Sequence, residues 1–401
     1  MKNKLSHFLN TLRDNKKLKL SFEISMLIVL SLFVFSATSL IYIANWLNYV
    51  LIGLFVALTI IYSFVLNKFK PQVASLYYLI FAIWVFIPTA IFSHAFRSWL
   101  TILLMAIIFA AVFYLTSIIE NKRLVLFSVL IGLLGFAVFF IIVYRESLLD
   151  FSSRLGTYFN NQNEIGLFFF AGFIVSTYLA LFYKFKFELA YLSSSLLFAY
   201  LCLLTGSKTS LLAIFISLIL LIIFRFKNNK IVLFSSFGGI IALTVVLLFL
   251  PFMETTRHKI AMIFETIFMG KIGDDYSPLF RLTYIKYSFY LGTKHLLIGY
   301  GENGFSIYSG VHTYAHSQYG EILVSSGIIG LMLYYFPILY LLVRSFLSKQ
   351  KPYFAIVFIV VLLIMTISSI SYSNKVLVIM MAYAGAAVLK QENHDVTKTN
   401  I

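Results

Sequence analysis

Residues 120–144 read ENKRLVLFSVLIGLLGFAVFFIIVY, and this stretch decides the class of fold. From Leu124 to Tyr144 it holds no charged side chain, and such a run is long enough for an α-helix to cross a hydrocarbon core of about 30 Å. Lys122 and Arg123 stand directly before it, and basic residues mark the cytoplasmic end of a span. The pattern therefore predicts a transmembrane helix that begins at the cytoplasmic face.

The same pattern recurs along the whole chain of 401 residues, which is 61% hydrophobic and only 11% charged. A soluble domain of this size does not have that composition. We therefore predict an all-α polytopic membrane protein with about 12 transmembrane helices and a large outer loop. The predicted spans are 22–43, 47–66, 73–93, 99–119, 124–144, 164–183, 188–205, 210–224, 231–250, 319–343, 353–372 and 375–389.

Lys and Arg orient these spans, because every short connection on one side of the predicted membrane is basic. We expect one integral membrane domain over 1–401, with a basic cytoplasmic tail at 1–20 and a second cytoplasmic tail at 390–401. The large loop, 251–318, is then extracytoplasmic. The net charge of +16 follows from this topology and attracts anionic lipid, so we expect no nucleic-acid partner.

The loop 251–318 is rich in Phe, Ile, Leu and Tyr, which argues against disorder. We expect amphipathic helices at 256–268 and 279–292, lying on the outer membrane surface. Titratable groups gather in the second half of the loop and at the start of the next span. The candidates are Arg281, Tyr284, Lys286, His316 and Glu321.

These residue types have defined chemical uses. Histidine titrates near neutral pH and acts as a general base, while arginine binds phosphate through two parallel hydrogen bonds. A cluster of charged groups held close to a bilayer is costly, which favours a function for it. His316 and Arg281 are therefore the leading catalytic candidates, although a histidine at a membrane interface is commonly a simple polar anchor.

Two shorter outer connections leave two interpretations open. In the first, Arg154 precedes the amides Asn160 and Asn163, which either cap the following helix or form a polar crevice for a ligand. The second, Gly206–Ser210, is either an ordinary capped turn or part of the same site through Lys208. A nucleotide-binding P-loop is excluded there because its other glycines are missing.

Three segments together resemble the bacterial O-antigen ligase and O-antigen polymerase (Wzy-like) superfamily. They are SRLGTYFNNQNEIG at 153–166, the turn at 206–208, and the outer loop with GYGENGF at 299–305 and AHSQYGEILVSSGIIGL at 315–331. The chain departs from the family pattern at Ser317, where the family commonly has Asn, and at Lys208, where it usually has Arg.

The resemblance implies a GT-C-like glycosyltransferase architecture in the bacterial cytoplasmic membrane, with the active site on the extracytoplasmic side. It implies transfer of a glycan from undecaprenyl pyrophosphate to an acceptor hydroxyl, without a cofactor and without a metal. Arg154 and Arg281 would neutralise the pyrophosphate and His316 would deprotonate the acceptor. The residues expected to bind substrate are Asn160, Asn163, Lys208, Lys286, Tyr284 and Glu321.

The leading hypothesis is a polymerase that extends lipid-linked repeat units for capsule, O-antigen or exopolysaccharide. Chain-length regulators, a repeat-unit flippase and membrane lipid are the expected partners. The first alternative is a ligase that moves a finished glycan to a lipid or protein acceptor. A second alternative is a transporter or flippase, which inverted repeats and broken helices would favour, and the sequence shows no clear internal repeat.

Overall fold

The computed structural model describes residues 16–39, 45–65, 73–148, 155–156, 158, 161–183, 187–236, 238–239 and 277–399. Throughout these residues the secondary structure is helical, with no strand. The helices are α1 Lys16–Thr38, α2 Asn45–Val65, α3 Tyr77–Pro88, α4 Phe96–Ile118, α5 Arg123–Val143, α6 Gln162–Phe182, α7 Glu188–Thr205, α8 Lys208–Phe226, α9 Ser277–Lys294, α10 Gly304–Ser309, α11 Gln318–Leu347, α12 Tyr353–Met365 and α13 Lys375–Thr399. A 3₁₀ turn, Val73–Leu76, precedes α3 and a π-helical turn, Thr89–Ser93, follows it.

The helices confirm an all-α polytopic membrane protein. In the described part of the chain, 9 helical segments are long and apolar enough to cross a membrane, and two shorter apolar helices, Tyr353–Met365 and Lys375–Leu389, accompany them. Most of the predicted span 231–250 and the predicted loop helix 256–268 lie outside the described residues. The other predicted loop helix, 279–292, coincides with α9.

Helix α6 forms the centre of the bundle. Every residue from Ile165 to Ala180 is buried, and α6 packs against α5, α7 and α8. Over the apolar stretches of α7 and α8 only 33% and 28% of the residues are buried, and both helices present apolar side chains at the surface of the bundle. Because lipid tails are as apolar as these side chains, such surfaces are stable against the bilayer.

Helix α11 is broken at Gly327, which has φ +67° and ψ −170°. The break frees the carbonyl groups of the preceding turn, and an unpaired carbonyl at membrane depth costs several kcal/mol. The segment before α10 and the indole of α3 supply the missing donors. Tyr300 N donates to Val324 O at 2.7 Å, Gly301 N to Ser325 O at 2.8 Å, and Trp84 Nε1 to Ser326 O at 2.9 Å. The loop 295–301 is thereby fixed against the first half of α11.

The predicted span 353–372 is too long: α12 ends at Met365, and residues 366–374 are not a continuation of the helix. This stretch reads TISSISYSN, and serine and threonine hydroxyls compete with backbone groups for hydrogen bonds. Gln318 also accepts the backbone N–H of Ser371 at 2.7 Å and of Tyr372 at 3.1 Å, and so holds an irregular conformation. The polar connection is therefore held against the protein, with Ser371, Tyr372 and Asn374 buried and Ser373 exposed.

Candidate active site

A cavity of about 270 Å³ lies where the N-terminal ends of several helices meet. Helices α6, α8, α11 and α13 begin at or beside it, and the connections before α10 and after α12 complete its wall. Its lining is mostly polar although the surrounding bundle is apolar. The lining residues are Asn161, Asn163, Glu164, Leu167, Ser207, Thr209, Arg281, Glu302, Asn303, Tyr314, His316, Glu321, Ser368, Ser369, Ile370, Tyr372, Ser373 and Asn374.

The opposite end of the bundle holds a separate set of polar contacts. Lys19 pairs with Glu120, the Arg123 guanidinium stacks 3.9 Å from the centre of the Tyr183 ring, and Lys227 lies over Tyr353. None of these residues lines the cavity. The cavity therefore belongs to one end of the helix bundle, which is the end formed by the connections predicted to be extracytoplasmic.

The packing of α9 on α11 brings Arg281 and Tyr284 to His316. Gly320 lies against Ser288 so closely that a Cβ added at Gly320 would stand 2.0 Å from the serine Oγ. Arg281 and Tyr284 are one helical turn apart, so both face this contact. The Tyr284 ring stacks on the His316 ring with centroids 5.9 Å apart and an interplanar angle of 12°.

His316 is held in a defined position at the entrance to α11. Its backbone has φ +56°, in the left-handed region that histidine adopts more readily than most residues. A second ring, that of Tyr314, lies with its centroid 4.2 Å from the imidazole. Burial lowers the pKa of His316 below its ordinary value, and the positive charge of Arg281 lowers it further. The imidazole is therefore neutral at neutral pH and available to accept a proton.

Two carboxylates share the wall of the cavity with this histidine. Oε2 of Glu321 accepts the backbone N–H of Ala315 at 2.8 Å, which ties α11 to the residue before His316. Glu302 is buried, and its Oε1 accepts the hydroxyl of Tyr372 at 3.1 Å. Burial, and then the charge of Glu321, raise the pKa of Glu302 to about 8, although the Tyr372 hydrogen bond opposes the shift. Glu302 is thus largely a neutral acid at pH 7.

The amide wall comes from the start of α6. Asn161 is the N-cap, and its side-chain oxygen accepts the backbone N–H of Asn163 at 3.1 Å and of Glu164 at 3.2 Å. Asn161 therefore caps the helix and, together with Asn163, also lines the cavity, while a ligand-binding role for these amides stays a prediction. Arg154 and Asn160 lie outside the described residues. Leu155, which follows Arg154, donates its N–H to Leu204 O at 3.0 Å.

The remaining predicted substrate-binding residues are placed differently from one another. Lys208 is the first residue of α8 and does not line the cavity, whereas its neighbours Ser207 and Thr209 do. Lys286 and Tyr284 on α9 also lie outside the cavity lining, and the Tyr284 ring stacks on the ring of His316, which does line it. The turn before α8 therefore contributes the hydroxyl groups of Ser207 and Thr209 to the site.

The match to a known family covers much of this wall. Residues 193–335 match the family model described as O-antigen ligase. The match confirms the resemblance to the O-antigen ligase and polymerase superfamily, and it indicates a membrane glycosyltransferase that acts on lipid-linked glycans. No curated protein matches the chain.

Arg281, Glu302, His316 and Glu321 all fall inside the O-antigen ligase match. The amide wall of α6 and the connection 366–374 fall outside it, so the cavity is completed by parts of the chain that the family model does not include. Sequence reasoning missed Glu302 as a site residue and missed the connection entirely. For the connection 366–374, the sequence feature that could have revealed it is the run of serines within a predicted span.

Proposed function

We propose that the protein is a repeat-unit polymerase that transfers a glycan from undecaprenyl pyrophosphate to a terminal sugar hydroxyl of another lipid-linked repeat unit. The observation that supports this most is the convergence of Arg281 and His316 on one polar cavity in an otherwise apolar bundle. The O-antigen ligase match supports the same class of substrate.

Arg281 is suited to the donor. A pyrophosphate leaving group gathers negative charge as its bond to the sugar breaks, and a guanidinium can bind two of its oxygens. The charge of Arg281 acts on both His316 and Tyr314: it adds to the effect of burial, which lowers the pKa of His316, and it opposes the effect of burial, which raises the pKa of Tyr314. A phosphate between these side chains would therefore lie within reach of the guanidinium. In the proposal Arg154 adds a second positive charge.

His316 is suited to the acceptor. In the proposed step the acceptor oxygen attacks the anomeric carbon, and the proton of its hydroxyl passes to the imidazole. The new bond joins the acceptor oxygen to the anomeric carbon, while the bond from that carbon to the phosphate oxygen breaks. Undecaprenyl pyrophosphate leaves with the electron pair. Because Arg281 and burial both keep His316 neutral, it starts each cycle as a base.

The cavity is large enough only for the parts of the two lipid-linked glycans that react, and not for the whole molecules. Its volume of about 270 Å³ is close to the lower end of the range for ligand sites, roughly 300–1,000 Å³. The polyprenyl tail and the rest of the glycan would lie outside it. The apolar surfaces of α7 and α8 could contact the lipid tail.

The test replaces the two proposed catalytic groups in the full-length protein. Arg281→Ala and His316→Ala should each abolish long polymer while membrane insertion and protein level persist. Lys294→Ala is the matched control, because Lys294 lies on the same helix as Arg281 but does not line the cavity. Polymer of normal length in both site variants would refute the proposed roles.

The ligase alternative is favoured by the description of the matched family itself. The two activities differ in what accumulates when the protein is inactive. A lost polymerase leaves single repeat units on the final acceptor, whereas a lost ligase leaves long chains on the lipid carrier. Analysing lipid-linked glycan in cells that produce only His316→Ala therefore separates them.

The topology is also part of the proposal. We place the cavity at the extracytoplasmic face and both termini in the cytoplasm, since the contacts at the opposite end involve Lys19, Arg123 and Lys227. A membrane-impermeant thiol reagent should then label Ser373→Cys but not Lys227→Cys in intact cells. Cys202 is buried and gives a low background.

A further inference from the structure

The connection between α12 and α13 forms a wall of the cavity that has no charged side chain. Residues 366–374 contain only hydroxyl, amide and apolar groups. The residues of this connection that line the cavity are Ser368, Ser369, Ile370, Tyr372, Ser373 and Asn374. A pyrophosphate is bound by cations, whereas neutral hydroxyls and amides suit the hydroxyl and carbonyl oxygens of a sugar.

Asn374 has a buried donor without a partner. Its side-chain oxygen caps α13 by accepting the N–H of Leu377 at 3.1 Å, and the residue is only 4% exposed. Its Nδ2 finds no hydrogen-bond acceptor in the part of the protein that the structure describes. Leaving a buried donor unpaired costs about 1–3 kcal/mol, so such a group in a cavity wall calls for an explanation.

The conformation of this wall is set by a residue at the start of α11. Gln318, two residues after His316, is fully buried, and its Oε1 accepts Ser371 N and Ser371 Oγ, both at 2.7 Å, and Tyr372 N at 3.1 Å. Its own backbone N–H donates to Thr366 O at 2.9 Å. The neutral wall is therefore fixed relative to the proposed base.

We infer that this connection is the sugar-binding wall of the cavity, and that Asn374 determines glycan specificity by donating a hydrogen bond from Nδ2 to a sugar oxygen. The inference rests on the proposed function, because it assigns a place to the glycan beside Arg281 and His316. Arg281 then serves the pyrophosphate and Asn374 the sugar.

The test compares two lipids with the full-length protein in lipid nanodiscs. One is bare undecaprenyl pyrophosphate, and the other is the lipid-linked glycan that accumulates in producing cells lacking this gene. Asn374→Ser should weaken binding of the glycan-bearing lipid about 3- to 10-fold, the loss of one hydrogen bond, and leave the affinity for the bare lipid unchanged. Serine is a good N-cap, so α13 keeps its cap in this variant.

Asn48 supplies the matched control. It is also fully buried, its Nδ2 is likewise without an acceptor in the described structure, and it does not line the cavity. Asn48→Ser should bind both lipids as the wild type does.

Each outcome decides one claim. Unchanged affinity for both lipids in Asn374→Ser, or an equal loss for both, would overturn the sugar-binding role. Arg281→Ala should weaken both lipids, and if it weakens neither while Asn374→Ser loses only the glycan, the proposed pyrophosphate site fails and the sugar-binding wall stands. If cells lacking the gene accumulate no lipid-linked glycan, both proposals fail.

Discussion

The contact between Gly320 and Ser288 sets the distance from α9 to α11, and substituting it tests whether that distance matters. In Gly320→Ala, the new Cβ would stand 2.0 Å from Oγ and 2.9 Å from Cβ of Ser288. Rotating the hydroxyl relieves the first clash but breaks its 2.7 Å hydrogen bond to Ile285 O, and the second clash remains. Carbon atoms pack at about 3.5–4.0 Å, so the helices must separate by roughly 0.6–1 Å.

Such overpacking costs about 1–3 kcal/mol of stability. It also moves Arg281 and Tyr284 away from His316, and a misplacement of about 1 Å costs on the order of 100-fold in rate. We therefore expect Gly320→Ala to fold with a lower melting temperature and to lose about two orders of magnitude in glycan transfer. Both quantities are measured on purified protein, by thermal unfolding and by gel analysis of the glycan product.

Compensation makes the prediction specific. Ser288→Gly removes both clashing atoms, so the double variant Gly320→Ala/Ser288→Gly should recover most of the transfer rate relative to Ser288→Gly alone. The coupling energy between the two sites should exceed about 1 kcal/mol, as for other residues in direct contact. Full activity in Gly320→Ala, or no recovery in the double variant, would show that this contact does not position the site.

Three further predictions concern the broken helix and the titratable groups. Gly327→Ala should unfold at a lower temperature than wild type, because φ at this position is +67° and the added Cβ would stand 2.2 Å from Leu297 O. Gly53→Ala is the control, since the space around its added Cβ is open and its melting temperature should equal that of wild type. Equal melting temperatures for Gly327→Ala and wild type would refute this. On the acid side, the transfer rate should fall to half at a pH below the ordinary histidine pKa of about 6.5. In Arg281→Gln, the residual activity should reach its half-point at a higher pH, because His316 protonates more easily once the positive charge is removed. An unchanged half-point would contradict the electrostatic coupling between Arg281 and His316. Burial raises the pKa of Glu302 to about 8 in the folded protein, against about 4.3 when unfolded, so its contribution to stability is greatest at low pH and is lost as the pH rises towards 8. The melting temperature should therefore fall less between pH 5 and pH 9 in Glu302→Gln than in wild type. The same dependence of melting temperature on pH in both proteins would contradict this.

Much of the architecture could be predicted because hydrophobic length and loop charge are local properties. The apolar run at 124–144 and the helix Arg123–Val143 agree closely, as do the predicted 188–205 and the observed Glu188–Thr205. A bilayer core of fixed thickness demands such helices whatever surrounds them. Prediction failed at α12, where polar residues near the end of an apolar run were counted as part of the span.

The candidate site was less predictable, because its parts are far apart in the chain. His316 and Arg281 stood out by residue type, and the structure brings them together with Asn163 and Glu321 in one cavity. Lys208 and Lys286 were predicted to bind substrate because they are cations, yet neither lines the cavity. Glu302 is distinguished only by its burial and its Tyr372 hydrogen bond, which sequence does not reveal.

The class of protein, most of the helical spans and the residue types suited to a pyrophosphate and a hydroxyl proton can be predicted without the structure. These follow from composition, run length and side-chain chemistry, which act within a few neighbouring residues. The packed fold, in contrast, sets which polar groups face one another. It breaks α11 at Gly327, and it uses Gln318 to hold the connection 366–374 against the cavity. Both features depend on hydrogen bonds between residues distant in the chain, such as Trp84 with Ser326 and Gln318 with Ser371, and such contacts form only when the helices have packed.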